Sequence, residues 1–324
     1  MLWFERLNNR LGSPLWLGAV IIGWLPFFLL SLLVVPLSGF QLSFSSEVLQ
    51  FSPIFIVILY LMLTTRYVRR RMEELRTYAL SMSPSDSFIE LNALYGLRGA
   101  LVSSALFYGG LQPVFFYTNS QLPLFVNFLG SVPYLYFNFI AGTFLWVLLY
   151  SSFSIYRMGK LPLRLKPFTE DKSMGLKLFG ATSLRFSASY LGFAALFMAP
   201  LLLSFGNIPS LATTIALFLF ALILFTIPLI SLRRKLVQAK RDELNRIGPR
   251  YTRIVTALTR NTAEPFDKEL REELTAVRQL REDISQIHSW PFDIGILARL
   301  SAIVLTVAAI ILGRILQLAL HLAT

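Results

Sequence analysis

The sequence contains no cysteine and only two histidines, His288 and His321. Disulfides, cysteine-zinc sites and thiol nucleophiles are thereby excluded, and two distant histidines make no cluster by themselves. Carboxylates are missing from the middle of every long apolar run. Proton- and sodium-coupled carriers commonly place acids at membrane depth. Backbone sites also bind sodium, so this absence argues against coupled transport without excluding it. There is no P-loop and no dinucleotide fingerprint, hence no case for an ATP-driven pump. The His/Asp/Glu groupings that membrane proteases and zinc hydrolases need are not visible. The chain reads as a non-enzyme with no cofactor and no metal.

Apolar sequence is what the chain has in abundance. Of 324 residues, 55% are hydrophobic, and the mean hydropathy is +0.61. A soluble domain has about 45–50% apolar residues with glycine included. The excess lies in long blocks, which is the signature of membrane spans. Seven blocks are legible, at 14–37, 51–65, 99–117, 124–156, 183–205, 211–232 and 290–318. The second covers only about 22 Å at 1.5 Å per residue. It needs residues 48–50 as well, or a snorkelling Arg66. The fourth is long and must tilt or extend beyond the bilayer.

The formal charge of +12 follows a topological rather than a nucleic-acid pattern. Arg6 and Arg10 precede the first span, and Arg66, Arg69, Arg70 and Arg71 follow the second. Six cations from Arg157 to Lys177 separate spans four and five. A dense charged stretch separates spans six and seven. The alternate loops, 38–50, 118–123 and 206–210, hold no Lys or Arg. By the positive-inside rule the N-terminus is cytoplasmic and the C-terminus outside. The first span exceeds a signal-peptide core and lacks a small-residue cleavage site, so it is expected to stay as a helix. The expected fold is an all-α integral membrane protein of seven transmembrane helices, in a prokaryotic cell membrane. Residues 1–232 form a six-span bundle, 233–289 a cytosolic helical hairpin, and 290–324 the seventh span. The anionic inner leaflet is the natural partner of Arg69–Arg71 and Arg233–Lys235.

Two apolar stripes carry the hairpin. Val237, Leu244, Ile247, Tyr251, Ile254 and Leu258 recur at 3,4 spacing, as do Leu270, Leu274, Val277, Leu280, Ile284 and Ile287. The hairpin is either a solvated connector or a stalk for assembly or partner docking. Gly248-Pro249 is expected to kink its first helix. Between spans four and five, Pro167, Thr169 and Asp171 suggest a turn and a helix start.

Two constellations point toward function. Tyr134, Tyr136, Phe137, Asn138 and Trp146 in span four either pack against neighbours or line a small-molecule pocket, with Pro133 and Gly142 opening space. In span seven, a helical wheel at about 100° per residue places Arg299 and Gln317 together. Thr306, Ile303, Ile310, Gly313 and Arg314 fall within about 60° of them. The two arginines lie about 22 Å apart along the axis. Both could anchor the helix at opposite interfaces. Alternatively, this face lines a water-filled path, with Ile303 and Ile310 as a hydrophobic gate and Arg314 as an outer basic ring. One helix encloses nothing, so a path requires several copies.

Seven spans, an inside N-terminus, charged helices before the last span and a short tail resemble the insect odorant and gustatory receptor channel superfamily. The resemblance covers the chain as topology. It implies a homo-oligomer, a tetramer favoured, with the last helix lining an ion pore and a ligand pocket in the outer half of the bundle. The family's Thr-Tyr and Gln-Phe signature is not met: Gln317 is followed by Leu318. Only Gln317 carries over, and Arg314 puts a cation preference in question. The expected function is a homo-oligomeric ion channel, with ligand gating as an option. The alternatives are a transporter of an uncharged or apolar solute, and a sensor or scaffold that docks a partner through the hairpin.

Overall fold

The computed structural model describes residues 2–37, 44–82, 96–118, 124–204, 208–260, 268–287 and 289–291, together with Gly295, Ala298, Ser301, Ala302, Leu305, Ala309, Leu312 and Gly313. Among these residues every regular element is helical and there is no strand. In chain order they are α1 (Trp3–Leu11), α2 (Leu15–Gly18), a π-helical stretch (Ala19–Trp24), α3 (Leu25–Leu37), α4 (Phe44–Ser81), α5 (Leu97–Thr118), α6 (Leu124–Met158), α7 (Lys177–Ser204), α8 (Ile208–Arg260) and α9 (Lys268–Ser285).

The bundle is organised around α6, which packs against α3, α4, α5, α7 and α8. Aromatic rings fill its interior. Phe137 of α6 stacks on Phe197 of α7 at 6.0 Å, and Phe144 meets Phe193 edge-on at 5.5 Å. Glycine lets neighbouring helices approach closely. A Cβ on Gly142 would sit 2.5 Å from the Ser104 backbone of α5.

Small polar side chains are buried within the apolar core, while large apolar ones face outward. Ser31, Thr65, Asn138, Thr143 and Ser183 are buried. Many of their hydroxyls satisfy helix carbonyls: Ser183 Oγ donates to Phe225 O across α7 and α8 at 3.0 Å. Meanwhile Leu25, Leu29 and Leu33 form an exposed ridge on α3, and Leu219, Ile223, Ile227 and Ile230 another on α8. Hydrocarbon solvates such ridges, whereas water would not. Three helical stretches, Trp16–Leu33, Val132–Met158 and one within Ile215–Ala257, are long and apolar enough to cross a membrane. The chain is therefore an all-helical membrane protein.

Several details refine the expectations from sequence. The short 51–65 run lies on a helix that begins at Phe44 and continues to Ser81, so α4 supplies the missing length. Asp171 does not start a helix. Its carboxylate accepts the backbone N–H groups of Ser173 and Gly175, both at 2.9 Å. Met174 and Gly175 adopt positive φ, of 51° and 83°. That left-handed pair is incompatible with a continuing α-helix, and α7 begins only at Lys177. Tyr78 pins the loop to α4 by donating to Gly175 O at 2.9 Å. Finally, α8 stays helical through Pro228, Gly248 and Pro249.

Candidate functional site

The stretch LWFERLNNRLG builds the most elaborate site among the described residues. Its apolar residues Phe4, Leu7 and Leu11 recur at 3,4 spacing, and Gly12 ends α1 in the left-handed conformation (φ 61°). Glu5 is the third residue of α1. Its carboxylate accepts the Leu2 backbone N–H at 3.1 Å, the acidic half of a capping box. The same carboxylate accepts Arg69 Nε of α4 at 3.1 Å, and Arg69 also reaches Glu73 at 2.7 Å. Asn8, buried on the same side, accepts from Ser13 Oγ and donates to Ser13 O. It packs so tightly on Gly18 that any Cβ there would fall 1.7 Å from its side-chain oxygen. One face of α1 is thus welded to α2 and α4.

The other face lines a cleft of about 290 Å³. Leu2, Trp3, Arg6, Leu7 and Arg10 form one wall. The first turn of α5, with Gly96, Leu97 and Ala100, meets Thr143 and Trp146 of α6 to form the other. Trp3 Nε1 donates to Thr143 Oγ1 at 3.1 Å, and Thr143 Oγ1 donates to Phe139 O at 2.8 Å. Trp146 lies so close over Gly99 that a Cβ there would be 2.0 Å from its ring. Apolar walls with two exposed guanidinium groups suit an anionic amphiphile better than a neutral solute.

The aromatic set expected in span four does not converge. Tyr134 is exposed and meets Phe27 of α3 edge-on at 6.0 Å. The Tyr136 hydroxyl donates to Ile22 O in the π-helical stretch. Phe137 faces α7, and Asn138 is buried. Trp146 alone reaches the cleft. Five positions on one helix point around its circumference, so they touch several neighbours rather than one cavity. A π-helical turn releases a carbonyl from the regular α pattern, which gives Tyr136 its acceptor.

Of the span-seven set, only Gly313 is described: it is helical, exposed, and a Cβ there would meet nothing within 4 Å. Arg299, Ile303, Thr306, Ile310, Arg314 and Gln317 lie outside the described residues. Gly295, Ala298, Ala302, Leu305, Ala309 and Leu312 are described, and all are exposed, Leu305 at 69% and Leu312 at 59%. Their spacing of three and four residues puts them on one seam of small and apolar side chains.

α9 folds back along α8. Arg250 Nη2 pairs with Glu273 at 2.7 Å, Arg281 lies over the Tyr251 ring at 5.2 Å, and Lys240 donates to Ile287 O at 3.2 Å. Ile254, Val277, Ile284 and Ile287 are buried. Nearer the bundle, Arg233 stacks over Trp290 at 4.6 Å. On α4, two cations of the Arg69–Arg71 cluster are committed within the protein: Arg69 to Glu5 and Glu73, Arg71 to Glu74 at 2.5 Å. Among the described residues no group of three or more His, Asp or Glu side chains is placed to hold a metal.

In the sequence, Arg6 and Arg10 stand out only as topological charges. The amphipathic pattern around Glu5 is the local mark of α1. No known protein family, curated protein or solved structure matches the chain.

Proposed function

We propose that the chain is a seven-span protein of a prokaryotic cell membrane, with its N-terminus in the cytosol and its C-terminus outside, and that it assembles through the last span into an ion channel. The seven spans are α2–α3, α4, α5, α6, α7, the first part of α8, and residues 290–318. The positive-inside distribution supports this orientation. The α8–α9 pair is then a cytosolic hairpin.

The observation that carries the reading is the exposed seam of span seven. On the wheel used above, the seam falls between about −40° and −140°. The polar face of Arg299, Thr306, Ile310 and Gln317 falls within about 20° of zero. In a ring of four helices, the directions to the pore axis and to a neighbour differ by about 45°, by the geometry of a square, and Gly295 at about −40° and Ala302 at about −60° are the seam positions nearest that direction. A small-residue flank beside a polar face is what a ring of close-packed helices requires. The aromatic filling of each bundle favours a path between copies over a path through one. Ile303 and Ile310 then form the gate and Arg314 the outer ring. A tetramer is favoured, in keeping with the resemblance to the odorant receptor channels.

Native mass spectrometry of the purified protein in nanodiscs tests the reading, with four subunits expected. A stable monomer would overturn the shared pore and return both arginines to interfacial anchoring. Given a ring, Arg314→Glu should shift the reversal potential of reconstituted channels toward cation preference. The α8–α9 hairpin, with its exposed charged surface, supports a second reading as a partner-docking scaffold. In that case reconstituted protein shows no flux, and deleting 241–286 abolishes recovery of the partner.

A further inference from the structure

We propose that the cleft between α1, α5 and α6 is a binding site for the glycerophosphate headgroup of an anionic phospholipid in the inner leaflet. Arg6 and Arg10 hold the phosphate, and Leu7, Leu97 and Trp146 hold the first acyl carbons. The inference rests on the cytosolic placement of the N-terminus argued above, but not on the pore.

The two arginines stand one helical turn apart on the face of α1 that lines the cleft. Both are exposed. Among the described residues neither lies within ion-pair distance of a carboxylate. That sets them apart from Arg69 and Arg71, which the fold neutralises. A guanidinium offers a planar fork that matches phosphate oxygens bidentately, and two forks about 6 Å apart along α1 can take one phosphate from two sides.

The rest of the cleft fits the remainder of such a molecule. The first turn of α5 forms part of the wall, and a helix N-terminus adds favourable potential for an anion. Trp3 has its only side-chain donor satisfied by Thr143, so it presents an apolar ring surface. Tryptophans of this kind gather at the headgroup level of a bilayer. The volume of about 290 Å³ equals roughly ten water-sized units at about 30 Å³ each, room for a glycerophosphate group. On the opposite face, the Glu5–Arg69 pair fixes α1 to the bundle, so the two forks are presented on a preorganised support.

The test is lipid retention by the full-length protein, read per protomer by native mass spectrometry in detergent. Phosphatidylglycerol and phosphatidylcholine are titrated separately. One phosphatidylglycerol per protomer should be retained, at an affinity about tenfold or more above phosphatidylcholine. The double variant Arg6→Gln/Arg10→Gln should lose that preference. Arg246→Gln/Arg253→Gln, which removes the same charge from exposed positions on α8, should keep it. Arg6→Lys/Arg10→Lys retains the charge without the fork and should fall between. Hydrogen exchange across α1 in each variant checks that the helix stays docked.

Equal retention of the two lipids, or retention indifferent to Arg6 and Arg10, would overturn the proposal. Displacement of the lipid by millimolar free glycerol phosphate would assign the cleft to a soluble anion and overturn the lipid source. A single cysteine placed at Asn9 and labelled from one side of the membrane tests the leaflet; labelling only from outside overturns the inner-leaflet assignment. Because retention is counted per protomer, it stands or falls separately from subunit number and conductance.

Discussion

Replacing Glu5 with alanine should undock α1 without unfolding the bundle. The Glu5 and Arg69 side chains are only 7% and 15% exposed, and their atoms lie 3.1 Å apart. Removing one member of a buried ion pair costs about 3–5 kcal/mol, because the other charge is left without compensation. Arg69 would keep Glu73 at 2.7 Å, but that carboxylate is 43% exposed and solvent weakens it. The Leu2 N–H also loses its acceptor, a smaller effect of about 1 kcal/mol. Taking the partial compensation into account, the net loss is about 2 kcal/mol, or about 30-fold in the docking equilibrium. Because α1 is a nine-residue helix at the edge of the bundle, held by this pair, by Asn8 on Gly18 and by Trp3 on Thr143, the opening should be local. Hydrogen exchange of the amides in α1 should therefore accelerate about 30-fold, while amides of α6 and α7 keep their protection. Glu73→Ala should change it by less than about threefold. The double variant Glu5→Ala/Arg69→Ala should be less damaging than the sum of the two single changes, since neither charge is then stranded. Unchanged exchange in Glu5→Ala, or a larger effect from Glu73→Ala, would refute the assignment of this pair as the clamp on α1.

Three further perturbations follow from close packing. Gly142→Ala would drive a Cβ to 2.5 Å from the backbone of Ser104 and should cost about 1–3 kcal/mol in thermal unfolding, whereas Gly109→Ala, with nothing within 4 Å, should be neutral or stabilising. Ile284→Ala hollows the contact between α8 and α9 and should cost about 2–4 kcal/mol, seen as faster proteolysis within 268–285 rather than loss of the bundle. Tyr136→Phe removes the donor to Ile22 O and should destabilise the π-helical stretch by about 1 kcal/mol, measured as exchange of its amides.

Helix positions were legible in the sequence because apolar length is a one-dimensional signal. The run from 14 to 37 became α2 through α3, and that from 124 to 156 became α6. The stripes ending at Leu258 and Ile287 are legible in part for the same reason: Ile254, Val277, Ile284 and Ile287 are buried at helical spacing, whereas Leu280 is exposed. What could not be read was which helix touches which. Tyr134 and Tyr136 look alike in sequence, yet one lies exposed against Phe27 and the other reaches a carbonyl on the π-helical stretch. The π-helical stretch itself carries no motif; AVIIGW is as good an α-helix as its neighbours. The cleft joins residues 2–10, 96–100 and 143–146, and no local pattern announces such a junction. Asp171 is ambiguous in sequence because an acid at a helix start and an acid in a tight loop satisfy the same kind of backbone N–H groups.

The continuity of α8 has a mechanical consequence. Its 53 residues give a helix of about 80 Å contour length, of which the part beyond Leu232 measures about 42 Å. A tilt of about 5° at the bundle end would swing the far tip by about 4 Å, given that length. The two interior prolines each delete one backbone hydrogen bond, so bending would concentrate at Pro228 and Pro249 instead of spreading along the helix. A load applied near Arg260 would be taken up first at Pro249, whereas a small rearrangement at the α6–α8 contact would be carried outward along the helix as far as that proline.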